Sequence, residues 1–143
     1  MSELIKRARQ IAEAAHAGQT DKAGAPYVTH PLRVADAVEG EEAKIVAILH
    51  DVVEDSEAWT LQRLREEGYS EAVVAAVDAL TDRAGEEYFD LVRRARENPL
   101  ARTVKSADLA DNIERTRLSG MTPEKEARIA RYEAALAILD GTG

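Results

Sequence analysis

Residues 41–53, EEAKIVAILHDVV, are apolar on several faces at once, because Ala43, Ile45, Val46, Ala47, Ile48, Leu49, Val52 and Val53 leave no continuous polar stripe. A surface helix buries one stripe, whereas a helix apolar nearly all round belongs at the centre of a core. The remaining segments read as helices that surround it. Leu4, Ile5, Ala8, Ile11, Ala12 and Ala15 recur at helical spacing, and Gly18 ends that run. Residues 18–29 form the one long irregular stretch, broken by Gly24 and Pro26. Pro31 suits the first turn of a short helix through Val38, which Gly40 closes. Thr60 and Ser70 cap helices that end at Gly68 and Leu80. Residues 86–97 form an amphipathic helix stopped by Asn98-Pro99, and residues 100–118 form the next, ended by Gly120. Thr122-Pro123 opens the last, with Ile129, Ala130, Tyr132, Ala135, Leu136 and Leu139 facing inward. No alternating strand pattern, repeat or linker interrupts the series. The expected fold is all-α: one domain over residues 1–143, a bundle of about eight helices.

The central helix carries polar chemistry at its end. His50 and Asp51 are adjacent there, and Glu54 and Asp55 follow four residues after each, which is about one turn on a continuous helix. An imidazole beside a carboxylate is a metal-ligand pair, and the acids one turn on would stand as bases next to whatever the metal holds. His30 and Asp108 are candidates to complete the shell. His30 is held at a loop-to-helix junction between Thr29 and Pro31. Asp108 sits among Val104, Ala107 and Leu109, and a carboxylate on an inward face costs several kcal/mol unless it is paired or metal-bound. Two imidazoles and two carboxylates suit Mn²⁺ or Fe²⁺ in octahedral geometry, with Zn²⁺ as an alternative. His16, at the end of the first helix, reads as a helix-dipole or core histidine and not as a ligand.

Composition removes other classes. The chain has no cysteine, so thiolate metal sites and thiol nucleophiles are excluded, and a reducing compartment fits. No apolar stretch is long enough to span a membrane, and Glu3, Lys6, Arg7 and Arg9 stand where a signal peptide needs an apolar core. A cytoplasmic protein without a membrane partner is expected. A formal charge of −8 argues against nucleic acid as a partner but leaves room for a small phosphorylated nucleotide.

Four stretches, AHAGQTDKAGAPYVTHPLRVA, AILHDVVEDS, VKSADLADN and RIARYEAA, run in order from residue 15 to residue 135. Together they resemble the HD-domain metal-dependent phosphohydrolases, and within them the hydrolase domain of Rel/SpoT proteins and the small stand-alone alarmone hydrolases typified by the metazoan SpoT homologue. The first stretch is the most specific, through GQ, K-x-G-x-PY and THP at the spacing of that family. The resemblance implies metal ligation by His30, His50, Asp51 and Asp108, catalysis by Glu54 and Asp55, and nucleotide contacts from Lys22, Asn112, Arg128 and Tyr132. It also implies an Mn²⁺-dependent removal of the 3′-pyrophosphate from ppGpp and pppGpp. The chain ends without a synthetase segment, so alarmone synthesis is not expected.

The residue chemistry agrees with these roles. A bound metal would polarise a phosphoryl oxygen, and Glu54 or Asp55 would accept a proton from the attacking water. Lys22 and Lys105 offer charge to phosphates, Arg128 a bidentate grip, Asn112 hydrogen bonds to ribose or base, and Tyr132 a stacking face. One position departs from the family pattern. Rel/SpoT proteins commonly carry Arg-Lys in the loop before the first ligand histidine, and here it reads Asp21-Lys22. An acid near an anionic substrate leaves open another phosphorylated nucleotide such as NADPH, or a non-catalytic nucleotide-binding module.

Overall fold

Nine helices are present among the residues that the computed structural model describes, 2–21 and 24–141. They are α1 (Glu3–Ala15), α2 (Thr29–Asp36), α3 (Glu41–Leu49), α4 (Val52–Asp55), α5 (Leu61–Glu66), α6 (Glu71–Leu80), α7 (Tyr88–Arg96), α8 (Pro99–Leu118) and α9 (Pro123–Asp140). The described residues form no sheet, and the architecture is the all-α bundle expected from the sequence. Helix α3 is its hub. Ala43, Ile45, Val46, Ala47, Ile48 and Leu49 are all buried, and the helix packs against α1, α2, α6 and α8. Each large aliphatic side chain removed from water there contributes roughly 1.5–3 kcal/mol. A smaller cluster of Val92, Leu109, Ala135, Ile138 and Leu139 holds α7 and α9 against α8.

The expected central helix over residues 41–53 is two helices. The chain leaves α3 at Leu49, turns through His50 and Asp51, and resumes as α4. The His50 Nδ1–H donates to the Ala47 carbonyl at 2.5 Å. That carbonyl is the acceptor the Asp51 N–H would use in a continuous helix, so the side chain competes with the helix for it. The break falls at the two residues with the most distinctive chemistry.

Local signals account for most other boundaries. Thr60, Ser70 and Thr122 accept from the N–H three residues on, as their positions predict. Asn98, expected only as a stop, also caps α8 by accepting from Ala101 N. Lys44, from α3, reaches back to the carbonyls of Ala35 and Val38 at 2.9 and 2.8 Å and so satisfies the C-terminal end of α2. Gly40 adopts φ +93° between those two helices, a region costly for any side chain. On α9 the inward face is as expected except for Ala130, which is exposed. No helix among the described residues is long and apolar enough to cross a membrane.

Candidate metal centre

Three elements converge to build the site. Before α2, a short hairpin pairs Tyr27 N with Gln19 O at 2.9 Å and Asp21 N with Ala25 O at 2.8 Å, which fixes how the chain enters the helix. His30 lies in the first turn of α2, His50 and Asp51 form the break between α3 and α4, and Asp108 lies midway along α8. One ligand atom from each of His30, His50 and Asp51 lies within 4.8 Å of the others. Asp108 adjoins that trio, with Oδ1 2.6 Å from His30 Nε2 and 3.6 Å from His50 Nε2. Both histidines and Asp108 are buried.

Hydrogen bonds orient these groups. A carbonyl can only accept, so the bond to Ala47 places the proton of neutral His50 on Nδ1 and turns Nε2 toward Asp51 Oδ2, 3.3 Å away. The Tyr27 hydroxyl donates to the same Asp51 oxygen at 2.6 Å. Burial opposes charge on His50, but Asp51 and Asp108 outweigh it and push the imidazolium up to about 9. Burial likewise works against the Asp108 carboxylate, yet Lys105 and the two histidines hold it well below the usual range. Lys105 Nζ stands 3.2 Å from Asp108 Oδ2. A mixed set of imidazole nitrogens and carboxylate oxygens, dense with negative charge, fits a divalent metal ion.

The acidic pair is split. Glu54 accepts from Asp82 N and lines a cavity of about 160 Å³ together with His50, Asp51, Lys105 and Asp108. Asp55 lies instead against the buried His16, 3.7 Å from its Nδ1. His16 is a core histidine as expected, its ring packed on Tyr27 at 4.9 Å between centroids. Partial burial first, and neighbouring carboxylates second, raise both Glu54 and Asp55 above ordinary values.

A second cavity, of about 840 Å³, shares Asp51 and Asp108 with the first and is lined also by His30, Asn112, Arg128 and Tyr132. The three nucleotide-contact candidates on α8 and α9 therefore share one space with the metal-ligand candidates. Lys22 lies outside the described residues. Asp21 lines this cavity, but its Oδ1 also accepts from Ala25 N at 3.0 Å, a role within the turn that the sequence did not reveal. The sequence also gave no notice of Arg115 and Lys125, which add positive charge to the wall. Their only signal was helical spacing, since Arg115 stands one turn beyond Asp111 and Lys125 one turn before Arg128.

Residues 8–130 match the HD domain family. The chain belongs to that family. The HD domain is 34% identical over 143 residues to the bifunctional (p)ppGpp synthase/hydrolase SpoT of Escherichia coli K12, a match covering 89% of this chain and 20% of that one. It is 37% identical over 137 residues to guanosine-3′,5′-bis(diphosphate) 3′-pyrophosphohydrolase of Haemophilus influenzae, covering 85% of this chain and 20% of the relative. A probable GTP pyrophosphokinase of Mycobacterium leprae is 35% identical over 141 residues, 90% of this chain and 17% of its own. The chain thus spans about a fifth or less of the length of these curated relatives. Its structure superposes with a TM-score of 0.78 and 26% identity on a metazoan SpoT orthologue described as hydrolysing ppGpp, over 100% of this chain and 89% of that one. This HD domain is homologous to the Rel/SpoT-type hydrolases, and His30, His50 and Asp51 form its metal-binding motif.

Proposed function

We propose that this HD domain removes the 3′-pyrophosphate from ppGpp and pppGpp, with Mn²⁺ as the preferred ion, Fe²⁺ or Zn²⁺ as alternatives, and the cytoplasm as its place of work. The observation that carries the reading is the shared cavity, lined both by His30, Asp51 and Asp108 and by Asn112, Arg128 and Tyr132. In this reading Asp108 joins His30, His50 and Asp51 as the fourth ligand. An ion held there would polarise the scissile phosphoryl group and acidify water. Glu54, in the adjoining small cavity, accepts the proton of the attacking water, and Asp55, set against His16, is the second acid of the catalytic pair. Arg128 grips phosphate oxygens, Lys22 and Lys105 add charge, Asn112 bonds the ribose or base, and Tyr132 stacks on the base.

The presence of Asp21 in the same cavity favours one second reading, hydrolysis of a different phosphorylated nucleotide such as NADPH. A product assay separates the two. Protein stripped with chelator and reloaded with Mn²⁺ should release pyrophosphate and GDP from ppGpp, with little product from NADPH. Turnover of NADPH alone would transfer the assignment to the second reading, and turnover of neither nucleotide by fully loaded protein would leave a nucleotide-binding module.

A further inference from the structure

His30 touches a carboxylate with each ring nitrogen, and only one of them belongs to the metal cluster. Nε2 faces Asp108 at 2.6 Å, while Nδ1 faces Asp111 Oδ2 at 2.7 Å on the opposite side of the ring. Asp111 is itself clamped. Arg33 Nε donates to Oδ1 at 2.9 Å and Nη2 to Oδ2 at 3.0 Å, a bidentate fork from the helix that carries His30. The Arg33 guanidinium is anchored in turn by Nη1 donating to Thr29 Oγ1 at 3.1 Å, and that hydroxyl donates to the Pro26 carbonyl at 2.8 Å. Nothing in the metal chemistry described above uses Asp111 or Arg33.

We infer that Asp111, locked by Arg33, is the positioning residue of the metal centre: it holds the proton of neutral His30 on Nδ1 and aims Nε2 at the ion. The inference rests on the metal reading of the cluster. Its physical basis is that an imidazole presents one lone pair at a time, and the partner of one nitrogen decides which nitrogen is left to ligate. A carboxylate partner also makes the ligating nitrogen more basic, and loss of such a partner typically costs about 10- to 100-fold in metal affinity. His50 achieves the same orientation through a backbone carbonyl, which no side-chain substitution can remove. The orientation of His30, unlike that of His50, can therefore be changed by a side-chain substitution, at Asp111.

An amide at position 111 tests the idea with almost no change of shape. An amide has one acceptor atom where the carboxylate has two, so Asp111→Asn sets an N–H against either His30 or Arg33. The probe is Zn²⁺, which is diamagnetic and allows histidine nitrogens to be read by NMR in the loaded full chain. Wild type should show a protected, downfield Nδ1 proton on His30. Asp111→Ala should lose that signature and bind Zn²⁺ about 10- to 100-fold more weakly in competition with a chromophoric chelator, and Asp111→Asn should weaken both whichever way the amide turns, because either His30 or its Arg33 clamp then meets an N–H. Should the alanine variant fail to fold, the asparagine variant carries the test alone. Zinc affinity within twofold of wild type, with the Nδ1 proton unchanged, would overturn the role of Asp111. Wild-type protein that takes up no zinc would overturn the metal reading itself and the inference with it.

Discussion

His30 Nε2 and Asp108 Oδ1 are 2.6 Å apart although 78 residues separate them in the chain. Asp108 is thereby the acidic centre of a buried group that also contains His50, with the partly exposed Lys105 at its edge. Removing a buried charge while its partners remain leaves them uncompensated, which typically costs about 3–5 kcal/mol. Asp108→Ala should therefore fail to retain metal after loading and, in metal-free buffer, unfold at lower urea concentration than wild type. Unchanged urea stability together with stoichiometric metal would show that Asp108 neither ligates nor balances the cluster.

Metal should stabilise the fold. Its proposed ligands come from α2, the α3–α4 break and α8, so an ion bridges helices far apart in sequence. Binding to the folded chain alone, at a free concentration one hundred times Kd, contributes about 2.7 kcal/mol, which for a domain of this length raises Tm by about 9 °C. A thermal scan with and without Mn²⁺ checks this, and Ca²⁺, which prefers an all-oxygen shell, should do far less.

The proposed function gives the acids beyond His50 and Asp51 the task of proton transfer. Glu54→Gln with Asp55→Asn should keep the metal and lose turnover by about a hundredfold or more, the usual range for general-base help. Metal content by atomic absorption and rate by pyrophosphate release must be read together. A rate near wild type would leave the pair only its contacts with Asp82 and His16.

The pH profile should carry the mark of Glu54. Burial raises its carboxyl first, and Asp82, Asp51 and Asp55 add to the rise while the bond from Asp82 N opposes it. A base with a raised pKa stays protonated to higher pH, so kcat/KM should fall, as pH drops, through a point above the ordinary carboxylate range. Asp82→Asn removes one repelling charge and keeps the backbone N–H, which should move this acid limb to lower pH. An unmoved limb in metal-loaded variant protein would assign the base elsewhere.

Much of this was legible in the sequence because it is written at short range. The all-round apolar pattern from Ala43 to Leu49 marks a buried helix whatever surrounds it. Caps such as Ser70 need only the next three residues. The break after Leu49 was hidden, since Val52 and Val53 continue the apolar pattern and neither glycine nor proline marks a stop. The cause lies in a side-chain bond from His50 to Ala47, which hydrophobic periodicity does not encode. Once the chain turns there, Glu54 and Asp55 no longer extend α3, and they diverge toward Asp82 and His16. The clamp of Arg33 on Asp111 depends on α2 meeting α8, and no local spacing reports a contact across 78 residues.

The substrate turns on Asp21. Its carboxylate lines the cavity proposed to receive phosphates, so it should weaken an anionic ligand by repulsion that salt screens. It also closes the hairpin by accepting from Ala25 N, so a change to arginine would disturb the turn as well as the charge. Asp21→Asn is the cleaner probe, because the amide oxygen still accepts that N–H. If ppGpp is the substrate, this variant should lower KM several-fold and leave kcat nearly unchanged, since the repulsion acts alike on ground and transition states. The KM gain should shrink as ionic strength rises. If Asp21 instead selects another nucleotide by accepting from a ribose hydroxyl or base, the asparagine variant should gain little on ppGpp. It should then lose activity on NADPH. Measuring both proteins against ppGpp, pppGpp and NADPH at two salt concentrations decides between repulsion and recognition.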